Sequence, residues 1–212
     1  MGMSQPETRR GRPKIHADDD VLEAALRDFA VYGFEGTSLR SLNAELGLSH
    51  GTINQRFGTK ERLYLEAVDY GFQKLLQEVN SFIPSDVSDE GPLEELRLRW
   101  RAFLLASHHR PHLTRLINIE GIAPSKMLNH IYRAYIEPAM RPTRRIIQRL
   151  ADDGVVRPLS DRATLFLLSG AISAFSLEAL SSKFDKLDGK LKIETYVDDV
   201  VRILIDGIRT QS

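Results

Sequence analysis

A chain of 212 residues fits one larger domain or a small domain joined to a medium one. Apolar residues make up 42% of it, enough for a core, and the absence of cysteine excludes disulfides and thiolate metal sites. The 29 basic residues are balanced by 29 acidic ones, so bulk charge points to no nucleic-acid partner.

Local charge does. Residues 1–17 read as a flexible basic arm in which Arg9, Arg10, Arg12 and Lys14 cluster just ahead of Asp18, Asp19 and Asp20. The aspartates suit a helix N-terminus, where they meet free amides and oppose the macrodipole. The arm has two readings: a solubilising tail, or a slender Arg-Gly-Arg-Pro segment lying on phosphate or entering a minor groove. No apolar run follows MGMSQPETRR, so no secretory signal is expected.

Val21, Ala25, Leu26, Phe29 and Ala30 recur at helical spacing and predict a first helix from Asp18 to Tyr32. Two short helical patterns follow within TSLRSLNAELGLSHGTINQRFGTK, residues 37–60. Leu39, Leu42 and Leu46 mark the first, Ile53 and Phe57 the second, and Gly47 suits a left-handed turn between them. Each is about two turns long, too short to stand alone, so the pair must pack on something else. Thr37 is expected to cap the first of the pair, its hydroxyl also within reach of a phosphate, and Ser49 to cap the second. The polar face of the second helix, with His50, Gly51, Asn54, Gln55 and Arg56, is left to point outward. Amide and guanidinium groups on a rigid short helix suit the major groove, which makes this pattern a helix-turn-helix. Asn54 and Gln55 carry the donor–acceptor pair that reads adenine, and Arg56 the fork that reads guanine; each could instead touch only backbone. His50 could donate to phosphate, and Gly51 would let the helix come close.

From Val21 to Val68 the chain resembles the DNA-binding domain of TetR-family transcriptional regulators. The resemblance rests on the Gly33-Phe34-Glu35-Gly36-Thr37 turn, the Ser49-x-Gly51-Thr52 opening of the second short helix, and Phe57-x-x-Lys60-Glu61 entering a fourth helix. It implies DNA contact by Ser49, Thr52 and Lys60 as well, and a two-fold dimer on a palindromic duplex operator. The family commonly has tyrosine where this chain has Asn54, and alanine where it has Asn43. Asn54 leaves the operator sequence open. Asn43 implies either an altered helix crossing or a side chain turned toward DNA or solvent.

The fourth helix is predicted from Lys60 toward Phe82, a loop over 83–91, and helices near 93–109, 112–120, 125–151, 161–182 and 191–209. Pro138 and Pro142 should bend or break the third of these. The expectation is an all-α chain: a helix-turn-helix domain over 18–62, then a larger helical effector-binding and dimerisation domain over 63–212. In the last helix Ile193, Val197, Val200, Leu204 and Ile208 form a stripe that Tyr196, Val201, Ile203 and Ile205 widen. Before it, Ser169, Gly170, Ala171, Ser173 and Ala174 alternate with Leu165, Leu168, Ile172 and Phe175. These two helices belong either to one monomer's core or, as the resemblance implies, to a homodimer interface built as a four-helix bundle.

The resemblance also implies a small-molecule effector, here apolar. Candidate pocket residues are Trp100, Phe103, Leu104, Ile117, Glu120, Tyr132, Tyr135, Ile136, Met140 and Phe166, each also readable as ordinary core. His108, His109 and His112 are interrupted by Pro111 and read as a solvated loop rather than a metal site. No nucleophile–base pair, phosphate loop or carboxylate constellation stands out, so no enzyme and no cofactor are expected. The most apolar stretch, Phe166 to Phe175, falls far short of the ~20 residues that span a bilayer, so the chain is expected to be cytoplasmic, without membrane contact. The leading expectation is a repressor released from its operator by the effector. Two alternatives stay open: a dimeric regulator without effector, controlled by a protein partner or abundance, and an enzyme or carrier with an accessory DNA module.

Overall fold

The computed structural model describes residues 17–210; the basic arm with Arg9, Arg10, Arg12 and Lys14 lies outside the described residues. Twelve α-helices follow in order: α1 Asp18–Gly36, α2 Leu39–Glu45, α3 Thr52–Phe57, α4 Lys60–Ser81, α5 Pro92–His108, α6 Pro111–Glu120, α7 Lys126–Ile131, α8 Glu137–Asp152, α9 Asp161–Ser176, α10 Glu178–Ser181, α11 Asp185–Asp188 and α12 Ile193–Ile208. Short 3-10 turns occupy Val87–Glu90 and Ser182–Phe184. Among the described residues the β-type pairing is one isolated bridge, Val156 to Arg209.

The boundaries follow local chemistry. Helical backbone in α1 breaks at Gly33, which takes φ 70° and ψ 176°, a conformation closed to side chains with a Cβ. Proline opens both α5 and α6, where its missing N–H is one of the free ones anyway. The helix expected over 125–151 is interrupted upstream of its prolines, by a π-helical turn over Tyr132–Ile136. The wider turn relieves the clash between the Pro138 ring and the carbonyl four residues back. Pro142 is carried inside α8. The helix expected to run to 182 stops at Ser176, because Leu177 leaves helical backbone at φ −104° and ψ 55°.

Two apolar clusters organise the packing. The first gathers Phe29 of α1, Leu42 of α2, Ile53 and Phe57 of α3, and Leu63, Tyr64 and Phe72 of α4, together with Leu113, Leu116 and Ile131 from α6 and α7. Phe29 and Phe34 meet the Tyr64 ring edge-on, at 4.8 and 5.6 Å. A Cβ on Gly71 would lie 2.8 Å from Leu26 and 3.3 Å from Leu113, so glycine is what lets α4 lie against both α1 and α6. This cluster runs straight across position 62. The second cluster joins α5, α8, α9 and α12 through Leu96, Trp100, Leu104, Ile147, Leu150, Leu168, Ile172, Val197 and Val201.

In α12 the buried stripe is Val197, Val201, Ile205 and Ile208, packed within the chain, while Ile203 is 64% exposed. In α9, Thr164, Leu168, Ile172 and Ser176 face inward, while Phe166 and Leu167 face out. No single helix among the described residues is long and apolar enough to cross a membrane.

Candidate nucleic-acid interface

Seven-residue α2 and six-residue α3 are held by what lies beneath them. Leu42, Ile53 and Phe57 are buried in the first cluster. Gly47 takes φ 63° between the two helices, and the Leu48 amide closes the turn on the Asn43 carbonyl at 2.8 Å. The turn expected from Gly47 is therefore present.

The capping differs from expectation at both helices. Ser38, not Thr37, is the N-cap of α2, accepting from the Ser41 amide at 3.3 Å. Thr37 is buried and donates its hydroxyl proton to the Gly33 carbonyl at 2.8 Å, so that proton is engaged within the chain. Nor does Ser49 cap the backbone of α3. Its hydroxyl pairs with that of Thr52 at 2.7 Å, and the residue at the N-cap is Gly51, at φ 86°.

Asn43 supplies what Ser49 does not. It is 4% exposed, donates from Nδ2 to the Leu39 carbonyl at 2.8 Å, and accepts at Oδ1 from the Ile53 amide at 3.2 Å. The side chain points neither to DNA nor to solvent but at the recognition helix. It satisfies one of the free amides of its first turn from the neighbouring helix. An amide where the family has alanine was the sequence signal, and its direction needed the structure.

Asn54 and Gln55 are exposed on α3 and His50 in the turn just ahead of it, with Gly51 and Thr52 half-exposed between them. Arg56 is placed otherwise than expected. Its guanidinium reaches back to Asp18 at the start of α1, with Nε donating to Oδ1 at 2.8 Å and Nη2 paired to the same oxygen, and its Cζ lies 5.7 Å from the centre of the Phe57 ring. The pairing joins an acidic helix start to a basic helix end, which opposes both dipoles favourably. Lys60 donates to the Glu35 carbonyl at 3.1 Å and lies 4.8 Å from the centre of the Phe34 ring. It thereby ties the start of α4 to the turn after α1, at the edge of the same exposed face. Thr59, directly ahead of Lys60, caps α4 by accepting from the Arg62 amide at 3.2 Å; threonine before a helical run is a signal the sequence offered.

The residues expected to form an effector pocket do not share one cluster. Trp100 and Leu104 are buried in the second, with Phe103 packed against it. Ile117, Tyr135 and Ile136 pack against the first. Tyr132 and Phe166 are exposed, and Met140 is half-buried. Glu120 is half-buried and polar in role: its carboxylate accepts from Tyr64 Oη and Ser125 Oγ, both at 2.7 Å. Burial first, then that carboxylate, pushes the Tyr64 phenol far above its usual range. Asp69 holds both the Tyr135 hydroxyl, at 2.7 Å, and His130 Nε2, at 2.6 Å.

Of the three histidines only His109 is exposed between the helices. His108 closes α5 with its ring edge against Phe175, at 5.2 Å, and His112 lies half-buried in α6. Burial lowers the pKa of both, helped at His108 by His109 and at His112 by Arg115. His109 Nδ1 instead pairs with Glu78. Three buried polar atoms have no hydrogen-bond partner near the second cluster: Trp100 Nε1, His108 Nδ1 and Ser176 Oγ.

Residues 21–67 match the family model described as bacterial regulatory proteins of the tetR family. Residues 92–208 match the C-terminal domain of the HTH-type transcriptional dual regulator CecR. Similarity to the HTH-type transcriptional regulator RutR of Escherichia coli (strain K12) is 24% identity, covering 99% of this chain and 98% of that one. The HTH-type transcriptional repressor AcnR of Corynebacterium glutamicum is 26% identical over 86% of this chain and 96% of its own. The fold is similar to that of the TetR-family regulator PfmR from Thermus thermophilus, with TM-score 0.62 and 20% identity over 92% of this chain and 99% of that one.

Proposed function

The chain belongs to the TetR family of bacterial regulatory proteins, with a CecR-type C-terminal domain, and from that premise we propose that it is a homodimeric repressor that reads a palindromic operator with α3. The observation that carries the reading is the exposure of Asn54 and Gln55 on α3, and of His50 just ahead of it, with the first turn of that helix anchored from inside by Asn43. Asn54 and Gln55 offer amide groups to base edges, and Lys60 sits where a phosphate can replace the Glu35 carbonyl. Arg56 reads a base only after exchanging Asp18 for it.

Dimerisation through α9 and α12 is supported by their exposed apolar residues Phe166, Leu167 and Ile203. Gly170 and Gly207 support it too: a Cβ at either would meet nothing within 4 Å in the chain. Glycine in a helix interior, as at Gly170 of α9, costs roughly 1 kcal/mol against alanine, and close approach of a second copy gives that cost a reason.

The effector reading is moved and modified. The unpartnered Trp100, His108 and Ser176 atoms sit by the second cluster, so the ligand they suit carries hydrogen-bonding groups as well as apolar surface. Trp100 is the sole tryptophan, and its fluorescence reports on this region alone. A compound that quenches Trp100 and releases bound duplex in the same concentration range supports the reading; quenching without release refutes it.

The DNA reading is tested by selection on randomised duplexes with the full chain. The expected product is a two-fold symmetric site whose affinity falls steeply with salt. Recovery of an unpaired half-site alone would overturn the dimeric mode.

A further inference from the structure

The least supported part of the described chain lies between α9 and α12. After Ser176 the path bends by 73°, and α10, the 3-10 turn and α11 follow as pieces of four, three and four residues. Helices this short do not persist in water unaided. Within the chain they pack chiefly on α9 and on one another. Yet Leu177, Leu180, Phe184 and Leu187 are all at least half exposed, Leu187 at 81%, with Leu191 following at 38%. Their spacing is three, four, three and four residues. On an unbroken helix that spacing would make one apolar seam; here the backbone departs from the helix at Leu177 and Gly189, and each short piece leaves its apolar side chains uncovered among the described residues.

We propose that this arm docks on a second copy of the chain and widens the dimer face of α9 and α12. The proposal rests on the dimeric reading above and adds a second contact surface to it. Area argues for the second copy. A standard interface takes about 800 Å² from each partner, a little over half of it apolar, hence roughly 450 Å². At about 150 Å² for a fully exposed large apolar side chain, the exposed fractions of Phe166, Leu167 and Ile203 give only about 270 Å². The arm residues raise the total to roughly 690 Å², more than a monomer commonly leaves in one patch. Charge argues the same way. Glu178, Asp185 and Asp188 are interleaved with Lys183, Lys186 and Lys190, so two copies can face one another without net like-sign repulsion.

The chain has no cysteine, so a single Leu187→Cys thiol in the full-length protein can be followed alone. Its maleimide labelling rate is measured above and below the dimer dissociation concentration, located by sedimentation. The expected result is labelling at least about tenfold slower in the dimer, with Phe184→Glu weakening dimerisation by at least about tenfold at unchanged helix content. Equal labelling rates at both concentrations overturn the proposal, whether the thiol is open in the dimer or covered by its own chain. So does protection that appears only when anionic phospholipid vesicles are added. If Phe184→Glu dimerises like the parent while Ile203→Glu does not, the arm proposal fails and the α9–α12 dimer stands. A parent chain that stays monomeric at every concentration removes both.

Discussion

The two ends of this molecule are both exposed, and they are exposed in opposite ways. At the helix-turn-helix end the outward groups are amides and an imidazole, on Asn54, Gln55 and His50, carried by a helix pinned from beneath by Ile53, Phe57 and the Asn43 cap. At the other end the outward groups are leucine, isoleucine and phenylalanine, on α9 to α12, carried in part by helical fragments with little beneath them. Exposure alone names no partner. Polar groups on a rigid mount suit base edges and phosphates, whose geometry is fixed. Apolar groups on a weak mount suit a partner that also completes the fold.

The comparison breaks most readily at the mount. Ile53 has no exposed surface, and Ile53→Ala should destabilise the chain by about 2–5 kcal/mol through the cavity it opens. Ile203→Ser, at a large apolar residue of the other end, should stay within about 0.5 kcal/mol in the unfolding of the monomer, while weakening the dimer. Urea denaturation below the dimer dissociation concentration checks both. Equal losses would mean that the α12 face is packed in the monomer after all.

Asn43 comes next. Asn43→Ala removes the acceptor for the Ile53 amide and should cost about 1–3 kcal/mol, the penalty for a buried donor left without a partner. Operator affinity should fall with it, because α3 loses its anchor while the reading residues stay in place. Thermal melting and duplex titration of the same variant separate the two effects. Unchanged melting with unchanged affinity would show that a water replaces the amide and that the cap does not position the helix.

How far the sequence was legible follows the same divide. The helices, the Gly47 turn and the burial of Ile53 and Phe57 could be read because each is set by residues a few positions apart. The caps could be read only in part. Thr37 and Ser38 are both hydroxyl residues at a helix start, and which one turns inward depends on the Gly33 carbonyl. The partners of Asn43 and Arg56 in this structure could not be read, because Ile53 and Asp18 lie ten and 38 residues away and no local pattern carries such a pairing. The end of α9 at Ser176 was hidden as well, since the apolar spacing continues past it through Leu180 and Phe184 while the backbone turns. The pocket residues were chosen by apolar character, which does not distinguish the first cluster from the second.

The recognition face gives a comparison within one helix. Gln55 is exposed, whereas Arg56 is paired with Asp18. Gln55→Ala should relax the preference at one symmetric base position by about 1–3 kcal/mol and leave melting unchanged. Arg56→Ala should also lower stability slightly, by up to about 1 kcal/mol as for other exposed ion pairs. Selection on randomised duplexes, run beside thermal melts, separates the two. If Gln55→Ala weakens every sequence alike, Gln55 contacts backbone and Asn54 becomes the principal reader.

The smallest effect expected is on pH, and it sits between the two ends, where α6 packs against α1. Burial, then Arg115, holds the His112 imidazole below the usual histidine range. In the unfolded chain it regains a pKa of about 6.5. Below that pH the unfolded state binds the proton more readily than the folded one, so stability falls as pH drops from about 6.5 toward the lowered folded value, and levels off beneath it. His108 shifts in the same direction through its own burial. Asp28 works the other way, since burial and Glu45 raise its carboxyl. Melting between pH 5 and 7.5 should therefore show a midpoint that declines toward acid, and His112→Gln should flatten the decline without removing the part due to His108. The same slope in parent and variant would place the titrating group elsewhere, with His108 the next to substitute.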